Sequence, residues 1–192
     1  MECKKALVET NGNIDDAVKK LRERGLAKAQ KKADRSTKEG RIFIAESSDN
    51  QSAIIVELNC ETDFVANNEA FIELGNTIAA KLSSEDISDN TNIEDIQLDN
   101  KKITDFISEY VLKLGENISL KQFKKITNAS YISSYIHMNG KIGVVVEFTD
   151  KCDTEIAKSI AMQVAATSPT YTKPEEVEAT ELDNEKEIIR KQ

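Results

Sequence analysis

The sequence is poor in histidine and in aromatic residues. It contains a single histidine, and Phe, Tyr and Trp together make up 5% of its residues. An ordinary zinc site built from Cys and His ligands is therefore nearly excluded. No stretch approaches the ~20 consecutive apolar residues that a bilayer-spanning helix requires. The N-terminus, MECKKALVE, lacks the apolar region of a secretion signal, so we expect no membrane partner.

Cysteine is also scarce. Cys3, Cys60 and Cys152 are odd in number and far apart in the chain. This usage fits three reduced thiols better than a disulfide framework, and it predicts a cytoplasmic protein.

Nucleotide-binding motifs are absent as well. The chain has no G-x-x-x-x-G-K-[ST] and no G-x-G-x-x-G, so it is not itself a P-loop GTPase or ATPase. Its formal charge of −8 argues against direct nucleic-acid binding, which depends on Lys and Arg releasing counterions from phosphates.

The charge is unevenly distributed. Ten Lys and Arg stand against three acids between Lys19 and Arg41, whereas 85–99 and 175–187 are acidic. Such runs are either solvated faces and loops or, for the basic segment, a surface that steers an acidic partner.

Residues 1–25 predict two short helices. Asn13 is expected to cap the second, whose apolar side recurs through Ile14, Val18 and Leu21, and Gly25 is expected to end it. Two helices this short cannot enclose a core alone. The Ala- and Lys-rich segment 26–40 is interpreted as a basic linker, partly helical at most.

The remainder predicts an α+β protein with two small modules of antiparallel sheet packed with helices, 41–127 and 128–192. The first module combines a hairpin over 41–59, two amphipathic helices and a strand over 117–126. The second has a hairpin around Asn139-Gly140, a preferred type I′ pair, then a helix containing Ile156, Ile160 and Val164. The sequences of 53–63 and 143–153 are similar without a gap. This similarity fits either an internal duplication or two ordinary strand-to-helix units.

One aromatic residue stands where the chain changes from strand to helix. In NCETDFVANNEAF, residues 59–71, Phe64 follows Asp63 in a stretch that predicts an exposed turn. Two interpretations are open. Phe64 either folds back to fill the helix–sheet junction or is held outwards as a wedge that another protein buries, as in a typical hot spot.

Catalytic alternatives start from the neighbours of Phe64. Glu61 and Asp63 are conceivable as an acid–base pair, and Cys60 as a nucleophile, but no partner base stands near them in the sequence. The default interpretations are a helix cap for Asp63 and a buried thiol for Cys60. His137, on a predicted hairpin strand, is open between a core, a solvent-facing and a contact position.

NCETDFVANNEAF resembles the signature of the elongation factor Ts family. MECKKALVETNGNIDDAVKKLRERG is similar to that family's ubiquitin-associated-like N-terminal domain, and KAQKKADRSTKEG to its basic linker. GENISL, SYIHMNGKIGVVVEF, IAMQVAATSPTY and KPEEV are similar to later landmarks of the family. Family members usually carry a further helix ahead of the first segment and continue beyond the last. The resemblance therefore implies a chain truncated at both ends, with an incomplete first domain and an incomplete second module.

The resemblance implies guanine-nucleotide exchange rather than bond-making catalysis, and no cofactor. The implied partner is elongation factor Tu, in its GDP-bound and nucleotide-free forms. Thr62, Asp63, Phe64 and Val65 match the family segment that contacts this GTPase and helps to dislodge its Mg²⁺. His137 and Met1 are secondary contact candidates.

Two rival functions follow from the residues. One is a non-catalytic adaptor that acts through the N-terminal helices. The other is a hydrolase that uses Glu61, Asp63 or Cys60.

Overall fold

The computed structural model describes residues 2–191, Glu2 by its backbone alone. The helices are α1 (Glu2–Glu9), α2 (Ile14–Gln30), α3 (Asp63–Ala66), α4 (Glu69–Ser84), α5 (Ile103–Leu114), α6 (Thr154–Thr167) and α7 (Ala179–Lys191). The strands are β1 (Glu39–Glu46), β2 (Ala53–Cys60), β3 (Gln97–Leu98), β4 (Lys101–Lys102), β5 (Ile118–Ile126), β6 (Tyr131–His137) and β7 (Ile142–Phe148). The α+β class is confirmed.

The main sheet has three antiparallel strands in the order β1-β2-β5. The predicted hairpin forms β1 and β2, and the predicted strand over 117–126 pairs with β2. Alternate residues of β2 point to one face of the sheet, and on that face Ile54, Val56, Leu58 and Cys60 are fully buried.

Two helices cover this buried face. In α4, the predicted apolar residues Phe71, Leu74, Ile78 and Leu82 are all fully buried. In α5, Ile103, Ile107 and Val111 complete the same core, and Gly115 ends the helix in the left-handed conformation, with φ of 82°. The periodic apolar patterns of both helices are confirmed.

A second hairpin, β6–β7, packs against the other face of the main sheet. Phe43 contacts α4 beside Gly75, whereas the neighbouring Ile42 lies against Gly143 of β7. Successive side chains of a strand point to opposite faces, so the main sheet lies between the helices and this hairpin. The hairpin is confirmed, but its connection is not a two-residue turn. Met138, Asn139 and Gly140 all have positive φ in a short 3₁₀ turn.

Helix α6 covers the β6–β7 hairpin with a different face from the one its isoleucines suggest. Ala157, Ala161 and Ala165 are buried, whereas Ile156 and Ile160 are 57% and 39% exposed. Small side chains at i, i+4 and i+8 allow the helix to lie close to the strands.

Helix α2 does not end at Gly25, as the sequence predicted, but continues to Gln30. Gly25 is buried against α5, where a Cβ at this position would lie 2.6 Å from Leu112 Cδ1. A glycine that permits close packing is therefore retained inside the helix at some cost in helix propensity. Asn13 caps α2 as predicted, accepting a hydrogen bond from the Asp16 amide. No helix in the described part of the chain is long and apolar enough to cross a membrane.

Candidate functional site

Phe64 lies on the surface. The residue is 83% exposed, the highest value among the large exposed apolar residues of the described chain. It occupies the second position of α3, a helix of four residues between the end of β2 and the start of α4. The interpretation in which Phe64 fills the helix–sheet junction is therefore wrong.

The start of α3 is held by a carboxylate from another part of the chain. Thr62 is the N-cap, and its hydroxyl oxygen accepts a hydrogen bond from the Val65 amide at 3.4 Å. The same hydroxyl donates to Glu116 Oε1 at 2.6 Å. Glu116 Oε2 accepts from the backbone amides of Glu61 and Thr62, at 3.1 and 3.0 Å. Three hydrogen bonds to one carboxylate thus fix the two residues that precede Asp63.

A second set of bonds ties this point to the segment after α2. The backbone amide of Asn117 donates to Glu61 Oε1 at 2.6 Å, and Arg35 Nη1 lies 3.4 Å from the same oxygen. The buried Asn117 side chain donates to the backbone carbonyls of Ala33 and Arg35, at 3.0 and 2.9 Å. Strand β5, the chain after α2 and the start of α3 therefore meet around Glu61.

The remaining residues of α3 are fixed by packing against the main core and by hydrogen bonds through Asn67. Ala66 is buried in the main core and Val65 packs against that core. The Asn67 side chain donates to the Asp63 carbonyl at 2.8 Å, and Arg41 hydrogen-bonds to Asn67 Oδ1. Phe64 and the Asp63 carboxylate are left facing solvent on a short helix whose two ends are both fixed.

The N-cap of α3 is Thr62, and the interpretation of Asp63 as the cap is therefore wrong. An Asp at the first helical position still interacts favourably with the helix dipole. Among the described residues, no side chain bonds to the Asp63 carboxylate.

The geometry does not favour catalysis at Cys60 or Glu61. Cys60 is fully buried, and its Sγ donates to the Thr62 carbonyl at 3.1 Å. Burial, and then the negative charge of Glu116, raise the pKa of the Cys60 thiol to about 11. A thiol that stays protonated at neutral pH is a poor nucleophile. Glu61, in turn, is occupied by Arg35 and Asn117.

His137 lies at the exposed tip of the β6–β7 hairpin. A core position is therefore wrong, and the solvent-facing and contact interpretations both stay open. The Tyr135 hydroxyl and His137 Nδ1 are 2.8 Å apart, and Met138 beside them is 64% exposed. Met1 lies outside the described residues.

Arg41 connects the hairpin tip with α3. Its side chain bonds to Asn67 and also packs on Gly140, where an added Cβ would lie 3.2 Å from Arg41 Cβ. Lys141 forms an ion pair with Glu39 at the start of β1. Both candidate contact regions therefore adjoin the beginning of β1.

Sequence reasoning did not assign Glu116 and Asn117 to the site. The strand register of the structure explains why they lie there. Cys60 pairs with Ile118 in the antiparallel β2–β5 ladder, so the residues just beyond each strand end must face each other. A carboxylate and an amide placed there are in reach of Glu61 and Thr62.

The comparisons with known proteins agree with these observations. The family profile described as "Elongation factor TS" matches residues 61–192. The chain is 41% identical over 200 residues to elongation factor Ts of Clostridium novyi (strain NT), covering 100% of this chain and 65% of the relative. It is 41% identical over 202 residues to that of Halothermothrix orenii, and 42% over 200 residues to that of Clostridium botulinum (strain 657 / Type Ba4). Both matches cover all of this chain, and 66% and 65% of the relatives.

The chain thus spans about 65% of the length of these curated relatives. The profile match covers more than half of the chain and includes the whole of α3. The chain therefore belongs to the elongation factor Ts family.

Proposed function

We propose that this chain acts as a guanine-nucleotide exchange factor for elongation factor Tu in the cytoplasm. It binds the GDP-bound GTPase, promotes GDP release and holds the nucleotide-free form until GTP enters. The observation that carries this proposal is the 83% exposure of Phe64 on a helix that is fixed at both ends. The proposal involves neither bond-making catalysis nor direct contact with nucleic acid or membrane.

The physical basis is the weakness of protein contacts to a nucleotide-bound Mg²⁺. Such an ion is held by few protein ligands and by the phosphates of the nucleotide. A residue that displaces the surroundings of the ion therefore weakens nucleotide binding. The effect is reciprocal, because a factor that lowers GDP affinity is itself bound less tightly when GDP is present. A thousandfold weakening corresponds to roughly 4 kcal/mol of differential binding.

The four residues of the site divide this work. Phe64 supplies an aromatic ring that buries about 150–250 Å² in a partner's pocket. Asp63 presents a carboxylate beside it, suited to perturbing the charge around a cation. Thr62 and Val65 hold the short helix, Thr62 through Glu116 and Val65 through the core. His137 at the hairpin tip is a secondary contact.

The test is the release rate of fluorescently labelled GDP from elongation factor Tu, with and without this chain. We expect the chain to accelerate release and the Phe64→Ala variant to lose most of that acceleration. Since Phe64 is exposed, Phe64→Ala should unfold at the same urea concentration as wild type. The matched control is Ile189→Ala, which removes another exposed apolar side chain, 67% exposed, from α7. Equal acceleration by Phe64→Ala and wild type would refute the wedge.

A second function is favoured by the surface of the N-terminal helices. Val8, Ile14 and Val18 are 68%, 69% and 58% exposed, which leaves three apolar side chains of these helices available to an adaptor's partner. Under this alternative, a Val8→Ser/Ile14→Ser double variant loses binding to that partner while Phe64→Ala retains it. If the double variant keeps its binding and Phe64→Ala loses it, the result supports the exchange function.

A further inference from the structure

Glu116 stands out because it lies outside the exposed site and yet holds it. It follows Gly115, whose left-handed conformation ends α5, and Lys32 of the segment after α2 hydrogen-bonds to the Gly115 carbonyl. The next residue, Asn117, is buried and bonded to three different groups of the chain. The backbone that carries Glu116 is therefore fixed from both sides.

The Glu116 carboxylate uses this rigidity to hold the two residues before Asp63. It accepts from the Glu61 amide, the Thr62 amide and the Thr62 hydroxyl at 3.1, 3.0 and 2.6 Å. Strand β2 ends at Cys60, so no ladder partner serves these two amides. Hydrogen bonds to an ionised acceptor are shorter and stronger than neutral ones.

We propose that Glu116 is the positioning residue of Phe64: its carboxylate fixes the start of α3 so that the ring is already oriented when a partner arrives. This inference rests on the exchange function proposed above and explains how an exposed ring can act without first being ordered. Ordering a mobile segment on binding lowers affinity, and a pre-oriented one avoids that cost.

The experiment compares Glu116→Gln with wild type in the whole chain. Glutamine keeps the size of the side chain, and its single oxygen still accepts from the two amides, but the negative charge is lost and an NH₂ group faces the Thr62 hydroxyl. We expect hydrogen exchange of the Glu61 and Thr62 amides to become roughly 5- to 10-fold faster, because a charged acceptor is replaced by a neutral one. This readout requires no GTPase. Unchanged exchange at both amides would overturn the inference.

The second readout is GDP release from elongation factor Tu at a saturating concentration of the chain. We expect Glu116→Gln to lower the maximal rate, and to cause no further loss in a Phe64→Ala background. A residue that acts only on general stability would lower the rate by the same factor in both backgrounds, because independent sites are additive. Equal factors, or an unchanged rate, would overturn the positioning role and leave the exchange function intact.

Two further variants make the result decisive. Glu109→Gln, on the exposed surface of α5 and paired with Lys101, is the control and should change neither readout. Glu116→Asp keeps the charge but withdraws the carboxylate from its three donors, and it replaces Glu116→Gln if that variant fails to fold. If wild type itself does not accelerate release, the exchange function fails along with this role. The amide exchange rates then still report whether Glu116 fixes α3.

Discussion

At the residue scale, the site depends on which side chains are buried and which are left outside. Phe64 and Val65 are adjacent apolar residues on one short helix. Val65 packs against the main core and Phe64 faces solvent. The sequence placed Phe64 at a strand-to-helix junction. It did not show whether the ring fills that junction or is held outwards as a wedge. That choice depends on Val65 and Ala66 already filling the junction, which only the packed structure shows.

Cys60 gives a test at the same scale. It is fully buried and its thiol pKa is raised to about 11, chiefly by burial, whereas Cys3 is exposed. We expect iodoacetamide to modify Cys3 readily in the folded chain and Cys60 only after unfolding in urea, because the thiolate is the reacting form. Mass spectrometry of the digested protein measures both sites. Rapid modification of Cys60 in the folded chain would contradict its assignment as an inert core thiol.

At the scale of elements, periodicity predicted the helices that face the main sheet, but not the close contacts made by small residues. The stripes of α4 and α5 are buried as expected. The predicted end of α2 at Gly25 is wrong, and the isoleucines of the predicted helix α6 do not mark its buried face, for one reason. Gly25 permits α2 to approach α5, and Ala157, Ala161 and Ala165 permit α6 to approach the β6–β7 hairpin. The spacing of large apolar residues predicts which face of a helix is buried. These close contacts instead depend on small residues, which that spacing does not include.

Gly75 of α4 provides the corresponding prediction. A Cβ at this position would lie 2.2 Å from the ring of Phe43, which is too close for any side chain. We expect Gly75→Ala to lower the free energy of unfolding by about 1–2 kcal/mol, since overpacking outweighs the gain in helix propensity. Urea denaturation measures the change. The control is Asn76→Ala at the next, exposed position, which should stay within about 0.5 kcal/mol of wild type. Unchanged or increased stability of Gly75→Ala would show that Phe43 moves aside freely.

At the scale of the whole molecule, the α+β class and the order of the longer helices and strands were predictable, whereas the short helix α3 and the meeting of distant segments there were not. The start of α3 is held by Glu116 and Asn117, which directly precede β5, and by Arg35 from the segment after α2. No local pattern encodes these contacts, since they arise only when β5 pairs with β2. The division into 1–25, 26–40, 41–127 and 128–192 stays a proposal, although α2 crosses its first boundary.

The whole-molecule arrangement places the α3 site and the hairpin tip at the same strand, β1, through Arg41. A partner seated on Phe64 is therefore expected to lie close to His137 and Met138 as well. A two-point contact of this kind would orient the ring towards one pocket of the GTPase.

The most direct test of the central claim replaces Phe64 by a photoreactive phenylalanine analogue and irradiates the complex with nucleotide-free elongation factor Tu. We expect a cross-link from position 64 to residues beside the magnesium and phosphate site, and none from the same analogue at position 189. A complex that forms but gives no cross-link from position 64, or one far from the nucleotide site, would contradict the account.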